Sequence, residues 1–251
     1  MTFLITVLAA IALASGAAAA TPGDDCDVPA SLIASDADLA RMAGAIKERH
    51  RLDISVVGSA SSALAGPDGA RFSYPAQLEQ VLKERLPGND IKVTAHVLPR
   101  QTTADMATAL PKILAEDRPT LVIWQAGTVD ALRGVEPEEF RVHLDKGVAA
   151  IAAANADAVM MNMQYSPRTE SMLGVTAYAD VMRWVAERHD VVLFDRLAVM
   201  RYWSDAGIFD LYAATSGYAM ARRVHQCIGR ALAAQIIQAG HLEAGNMQIS
   251  R

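Results

Sequence analysis

The sequence predicts an α/β fold, a three-layer α/β/α sandwich around a five-stranded parallel sheet. Three observations carry this. Short β-rich runs alternate with longer stretches of helical character along most of the chain. Proline and glycine punctuate the joints, at Pro87-Gly88, Pro119, Gly134, Pro167 and Gly207. The 251 residues are 52% apolar and 20% charged, a globular composition long enough to bury one core.

The expected strands are "LDISVVG" (52–58), "DIKVTAHVL" (90–98), "TLVIWQAG" (120–127), "DAVMMNMQ" (157–164) and "DVVLFD" (190–195). Helices are expected at about 75–86, 102–116, 137–154, 174–188 and 216–239. A helix between consecutive strands implies right-handed crossovers and a sheet covered on both faces. Five such strands suit a doubly wound, flavodoxin-like order. Ligands of such sheets bind beyond the C-terminal strand ends. Those ends are Gly58–Ser62, Leu98–Gln101, Gly127–Asp130, Gln164–Arg168 and Arg196–Ala198.

The first twenty residues read as an export signal. "FLITVLAAIALA" is an apolar core, and "SGAAAATPGDD" offers small residues for a cut after Ala20. The polar break at Thr21–Asp25 stops the run just short of the ~20 residues a membrane span needs, so no stable span is expected after cleavage. The n-region carries no Lys or Arg, and an uncleaved anchor is the alternative. The expected organisation is a signal at 1–20, an extension at 21–50, one domain at 51–240 and a tail at 241–251. The expected location is periplasmic or secreted. The only cysteines are Cys26 and Cys227, and an even count in an exported chain suggests a disulfide between them. A net charge of -5, with no basic run, argues against a nucleic-acid partner. The six histidines make no metal-binding spacing, and neither a metal nor a cofactor is implied.

Several blocks, in order, resemble the SGNH/GDSL hydrolase family, in particular its small exported bacterial members. They are "GSASSALAG", "YPAQLEQVLKERLPG", "PTLVIWQAGT", "QYSPR" and "SGYA", and the resemblance covers about residues 52–235. It implies the SGNH hydrolase fold and an ester-cleaving site. In that site a serine attacks the carbonyl, and a histidine oriented by an aspartate takes its proton. A glycine N–H and an asparagine complete the oxyanion hole.

Matching block by block, the resemblance places Ala60 at the nucleophile, Arg100 at the glycine and Val129 at the asparagine. The histidine falls on Tyr212 and its aspartate on Phe209; a shift of one residue gives Ala213 and Asp210. Neither register supplies a histidine, and no catalytic position is intact. The chain therefore reads as a pseudoenzyme, an envelope binding or scaffold protein with a glycan, acyl or protein ligand. The alternative is an active esterase or acyltransferase on a carbohydrate or lipid ester, with a rewired site using Ser59 or Ser61.

The ligand-binding candidates are Ser59, Ser61, Arg100, Asp130, Gln164 and Arg168, all at strand ends. Paired guanidinium groups at Arg100 and Arg168 would suit carboxylate or phosphate. Each candidate also has a plain reading, as a cap, a loop brace or a solvated side chain. His225 reads either as a displaced base or as a histidine of the last helix. Met160, Met161, Met163 and Trp124 read as core.

Overall fold

The computed structural model describes residues 26–211 and 217–242. The expected signal, most of the expected tail and Tyr212 lie outside them. The central strand β1 (Arg51–Gly58) lies between β2 (Asp90–Val97) and β3 (Leu121–Gln125), followed by β4 (Asp157–Met161) and β5 (Val192–Phe194). The order is β2-β1-β3-β4-β5, with every pairing parallel. This is the doubly wound sheet the alternation predicts. All residues of β3 and β4 are buried, as a sheet covered on both faces requires. The edge strand β2 keeps only Ile91 fully buried.

The helices are α1 (Ala40–Arg49), α2 (Gly69–Phe72), α3 (Tyr74–Arg85), α4 (Thr103–Asp117), α5 (Thr128–Arg133), α6 (Pro137–Ala153), α7 (Pro167–Met172), α8 (Val175–His189), α9 (Arg196–Asp205) and α10 (Gly217–Ala239). Proline stands in the first turn of α3 and α6, where it costs no hydrogen bond. The N-terminus of α4 is closed by a capping box between Thr102 and Asp105. Left-handed residues lead back into the strands at His50, Arg118, Asn155 and Asp190. These do the work usually given to glycine, which is why the sequence carries few glycine signals there.

On one face of the sheet α4, α6 and α8 pack side by side; α3 and α10 pair on the other. The strand period of two explains the division within β3. Trp124 points at α6, where a Cβ on Gly147 would fall 2.2 Å from its ring. The next residue, Gln125, points the opposite way, toward Tyr74 at the start of α3. Trp124, Met160, Met161 and Met163 are all core residues.

The disulfide Cys26–Cys227 is present, with Cα atoms 4.7 Å apart, and joins the start of the described chain to α10. The Trp203 indole N–H also donates to the Asp27 carbonyl at 3.3 Å. Among the described residues no helix is long and apolar enough to cross a membrane.

Candidate functional site

The loop leaving β1 is built around one amide oxygen. Gly58 ends the strand without a side chain because a Cβ there would lie 2.2 Å from the Ser62 hydroxyl and 3.1 Å from Gln125. Gln125, fully buried at the end of β3, turns its Oε1 under the loop. That oxygen accepts from the Ser59 N–H at 3.0 Å and the Ser59 hydroxyl at 2.9 Å. The Ser62 and Ser61 hydroxyls approach it at 3.2 and 3.3 Å. An amide oxygen has two lone pairs, so the two shorter bonds dominate and the others share. Ser62 also pairs with the buried Tyr74 hydroxyl at 3.0 Å. Burial pushes the Tyr74 phenol up from its ordinary value, so it stays neutral.

Gln125→Leu keeps the volume and removes the shared acceptor. The buried Ser59 N–H then has no partner, and we expect a loss of about 2–3 kcal/mol in urea unfolding. A loss under about 0.5 kcal/mol, the ordinary scatter of neutral substitutions, would refute this role.

Beside the loop stands Arg196, the first residue of α9, only 1% exposed. It is placed by the residues around it. Asp195 caps α9 by accepting from the Ala198 N–H at 2.9 Å, and Asn162 locks that carboxylate at 2.7 Å. The Asn162 carbonyl accepts in turn from the Leu197 N–H at 2.9 Å. So fixed, the Arg196 guanidinium reaches the loop, where Nη1 donates to the Ser61 carbonyl at 3.4 Å and its hydroxyl at 3.3 Å. Its Cζ lies 5.7 Å from the centre of the Tyr74 ring. Burial lowers its pKa to about 10, so it is a cation at neutral pH.

His225, on α10, completes the cluster. Its Nδ1 accepts from the Tyr74 N–H at 2.9 Å, which places the proton of the neutral ring on Nε2. Burial first, and the Arg196 charge second, lower its pKa to about 3.

The residues read from sequence fall as follows. Ala60 is exposed and begins the short turn Ala60–Ser62. Ser59 is buried on Gln125, whereas Ser61 is half-buried between Gln125 and Arg196. Arg100 keeps a left-handed backbone, with φ of 62°, although it is not glycine. Its carbonyl accepts from Arg133 at 2.8 Å, and its side chain is exposed. Val129 lies in α5, half-buried, and its side chain offers no polar hydrogen.

Asp130 is buried and already committed. Its carboxylate accepts from the Thr103 N–H at 3.0 Å and hydroxyl at 2.8 Å, holding the first turn of α4. Gln164 is half-buried and Arg168 exposed on α7. Phe209 is core, and Tyr212, where the block matching puts the histidine position, lies outside the described residues.

Sequence reading placed Arg196 at a strand end but gave it no role. It missed Gln125 and Tyr74 altogether. A buried glutamine closing the apolar run of β3 was the available signal.

All six histidines are among the described residues, and none hydrogen-bonds a serine of this loop. A serine, an aspartate and a histidine do meet elsewhere, in the order Ser55–Asp117–His96. The Ser55 hydroxyl and His96 Nε2 both reach the same Asp117 oxygen at 2.6 Å. With the carboxylate in the middle, the imidazole cannot take the serine proton directly.

The family of this fold is shown by its sequence model, which matches residues 25–242 under the description Non-GDSL lipase-like family. The chain belongs to that family. It is thereby a member of the SGNH/GDSL hydrolases, as the block order implied. Two curated relatives of this Non-GDSL lipase-like protein are esterases by name. An arylesterase of Vibrio mimicus is 30% identical over 121 residues, 48% of this chain and 59% of that protein. Esterase TesA of Pseudomonas aeruginosa is 30% identical over 112 residues, 45% of this chain and 54% of that protein. The chain thus matches a little over half the length of each. The crystal structure of TesA superposes with a TM-score of 0.59 at 23% identity, covering 73% of this chain and 99% of that one. Axe2, an acetylxylan esterase from Geobacillus stearothermophilus, gives 0.60 at 16% identity, covering 74% and 94%. At these identities the structural likeness speaks for the fold.

Proposed function

We propose that this member of the family does not hydrolyse esters and acts as a binding or scaffold protein, exported to the cell envelope. One observation carries the reading: the loop serines donate to an amide oxygen and lie against a guanidinium, where a nucleophile needs an imidazole. An amide oxygen does not take a proton at neutral pH, and a fixed cation disfavours a second positive charge forming beside it. Ala60, at the nucleophile position, has no nucleophilic atom. The segment 212–216 reads Tyr-Ala-Ala-Thr-Ser and supplies no histidine in either register. His225 holds its Nδ1 on the Tyr74 backbone and has too low a pKa to serve as a base. The Cys26–Cys227 disulfide is in keeping with an oxidising compartment, as is the N-terminal segment. A glycan, an acyl chain or a protein remains the proposed ligand.

The names of the two relatives favour a second reading, an esterase or acyltransferase on a carbohydrate or lipid ester, rewired around Ser59 or Ser61. A fluorophosphonate probe separates the two. We expect no serine adduct, and aryl acetate turnover at the buffer rate both in the wild type and in the Ser59→Ala/Ser61→Ala double variant. Loss of the nucleophile or base removes about six orders of magnitude from a serine hydrolase, so an active site would stand far above this background. A stoichiometric adduct with turnover that disappears in the double variant would establish the second reading.

A further inference from the structure

We infer that Arg196 is the receptor for a small oxyanion, of carboxylate or phosphate type, bound at the β1 loop. This names the ligand chemistry of the site and rests on the binding-protein reading above.

The starting point is an unbalanced charge. A guanidinium withdrawn from water is ordinarily compensated by a carboxylate, because desolvation costs several kcal/mol that hydrogen bonds to neutral groups repay only in part. Arg196 is 1% exposed and has no such partner among the described residues. The nearest carboxylate along the chain, Asp195, directs one oxygen to Asn162 and the Ala198 N–H and the other to Arg183. The groups facing the guanidinium are the Tyr74 ring, the neutral His225 imidazole and Ser61.

The geometry of the fork adds the second observation. Nη1 carries both of the hydrogen bonds, and both are long, at 3.3 and 3.4 Å. Nε is buried with no acceptor. Nε and Nη2 form the edge of an arginine that receives two oxygens side by side, and on Arg196 this edge has no protein acceptor among the described residues. A buried Nε–H left unmatched, beside an Nη2 that makes no hydrogen bond to the described residues, is placed to donate to the oxygens of an anion. The loop residues nearest solvent at this point are the exposed Ala60 and the half-buried Ser61. The same cation that disfavours an imidazolium here favours an anion. A neutral ester fragment gains much less from it.

The test uses the wild-type chain, so it does not depend on a variant folding. Arginine Nε–H resonances of 15N-labelled protein are followed while sodium acetate or sodium phosphate is added, with sodium chloride at matched ionic strength as the control. We expect the Arg196 Nε–H signal, assigned through bonds, to shift and saturate with one of the two anions and not with chloride. Saturation by acetate identifies a carboxylate ligand, and saturation by phosphate identifies a phosphoryl group. Arg196→Lys keeps the charge and loses the fork, and binding is expected to weaken at least tenfold by calorimetry; Arg85→Gln, at an exposed position at the end of α3, is expected to change nothing. A signal that stays still, or drifts linearly in all three salts, overturns the inference. Fluorophosphonate labelling of the same sample shows which claim has failed. An unlabelled protein that ignores both anions refutes the oxyanion alone, and a labelled one refutes the binding-protein reading as well.

Discussion

Lowering the pH from about 6.5 toward about 3 is expected to cost the fold up to about 5 kcal/mol through His225 alone. The ring is 6% exposed, and its Nδ1 already accepts the Tyr74 N–H, so protonation in the folded state needs that bond broken. Burial is the larger cause of its depressed pKa, and the Arg196 charge is the second. The sign follows from where the proton binds first. Above pH 6.5 both folded and unfolded histidine are neutral, and the full stability is present. Below it the unfolded chain takes the proton while the folded chain refuses it, so stability falls with pH until the folded pKa is reached. Between pH 6.5 and 4.5 the other five histidines and the first carboxylates titrate too, so the His225 contribution is read as a difference between two proteins. In His225→Asn the amide oxygen replaces Nδ1 as acceptor and carries no titrating group. Over that interval we expect the wild type to lose about 2–3 kcal/mol more than His225→Asn in urea unfolding. Parallel slopes in the two proteins would show that His225 is not responsible.

The sheet was legible because its signals are local. Each strand is a short apolar run bounded by turn residues, and alternation with helices leaves few orders for a parallel sheet. The misses have local causes too. β3 ends at Gln125 and β4 at Met161, short of the apolar runs that contain them, because the ladder stops where β5 ends at Phe194. Residues such as Asn162 and Met163 remain buried beyond it. The helix α9 begins at Arg196, where the sequence suggested only a strand-end loop, because "RLAVMRYW" carries no glycine or proline to mark a start. α1 lies in the segment read as an extension, where it buries Met42, Ala45 and Ile46.

The site divides along the same line. Expected positions for the family's residues could be counted along the chain, since each block has its own anchor. The network actually built at the β1 loop could not. Gln125 is 66 residues from Ser59, and Arg196 is 135 from Ser61. Nothing in the immediate neighbourhood of either tells a buried network from a strand end or a solvated charge. Asp130 is the converse case. Its position looked available, but a threonine 27 residues away had taken it.

Opening the Cys26–Cys227 bond is expected to lower stability by about 3–5 kcal/mol, near the upper end of what a disulfide supplies. The bond spans 201 residues, so it restricts almost the whole described chain in the unfolded state. The closure entropy rises only with the logarithm of loop length, and a loop of this size approaches about 5 kcal/mol. The folded state offsets part of the loss. Without the bond the first residues keep other attachments, including the Trp203 bond to the Asp27 carbonyl and the Leu39 N–H bond to the Ala239 carbonyl. Val28, Leu32 and Ile33 still pack against the core. The N-terminal segment can therefore loosen locally while the sheet stays intact, and the regained freedom reduces the penalty. For a chain of this size the remainder corresponds to a fall in Tm of roughly 10 °C. Calorimetry with and without reductant, repeated on Cys26→Ser/Cys227→Ser, measures it. The double variant should melt low in both conditions, and the wild type should join it only when reduced. An unchanged Tm on reduction, with two thiols titrated, would place the stability of the molecule in the sheet and its helices alone.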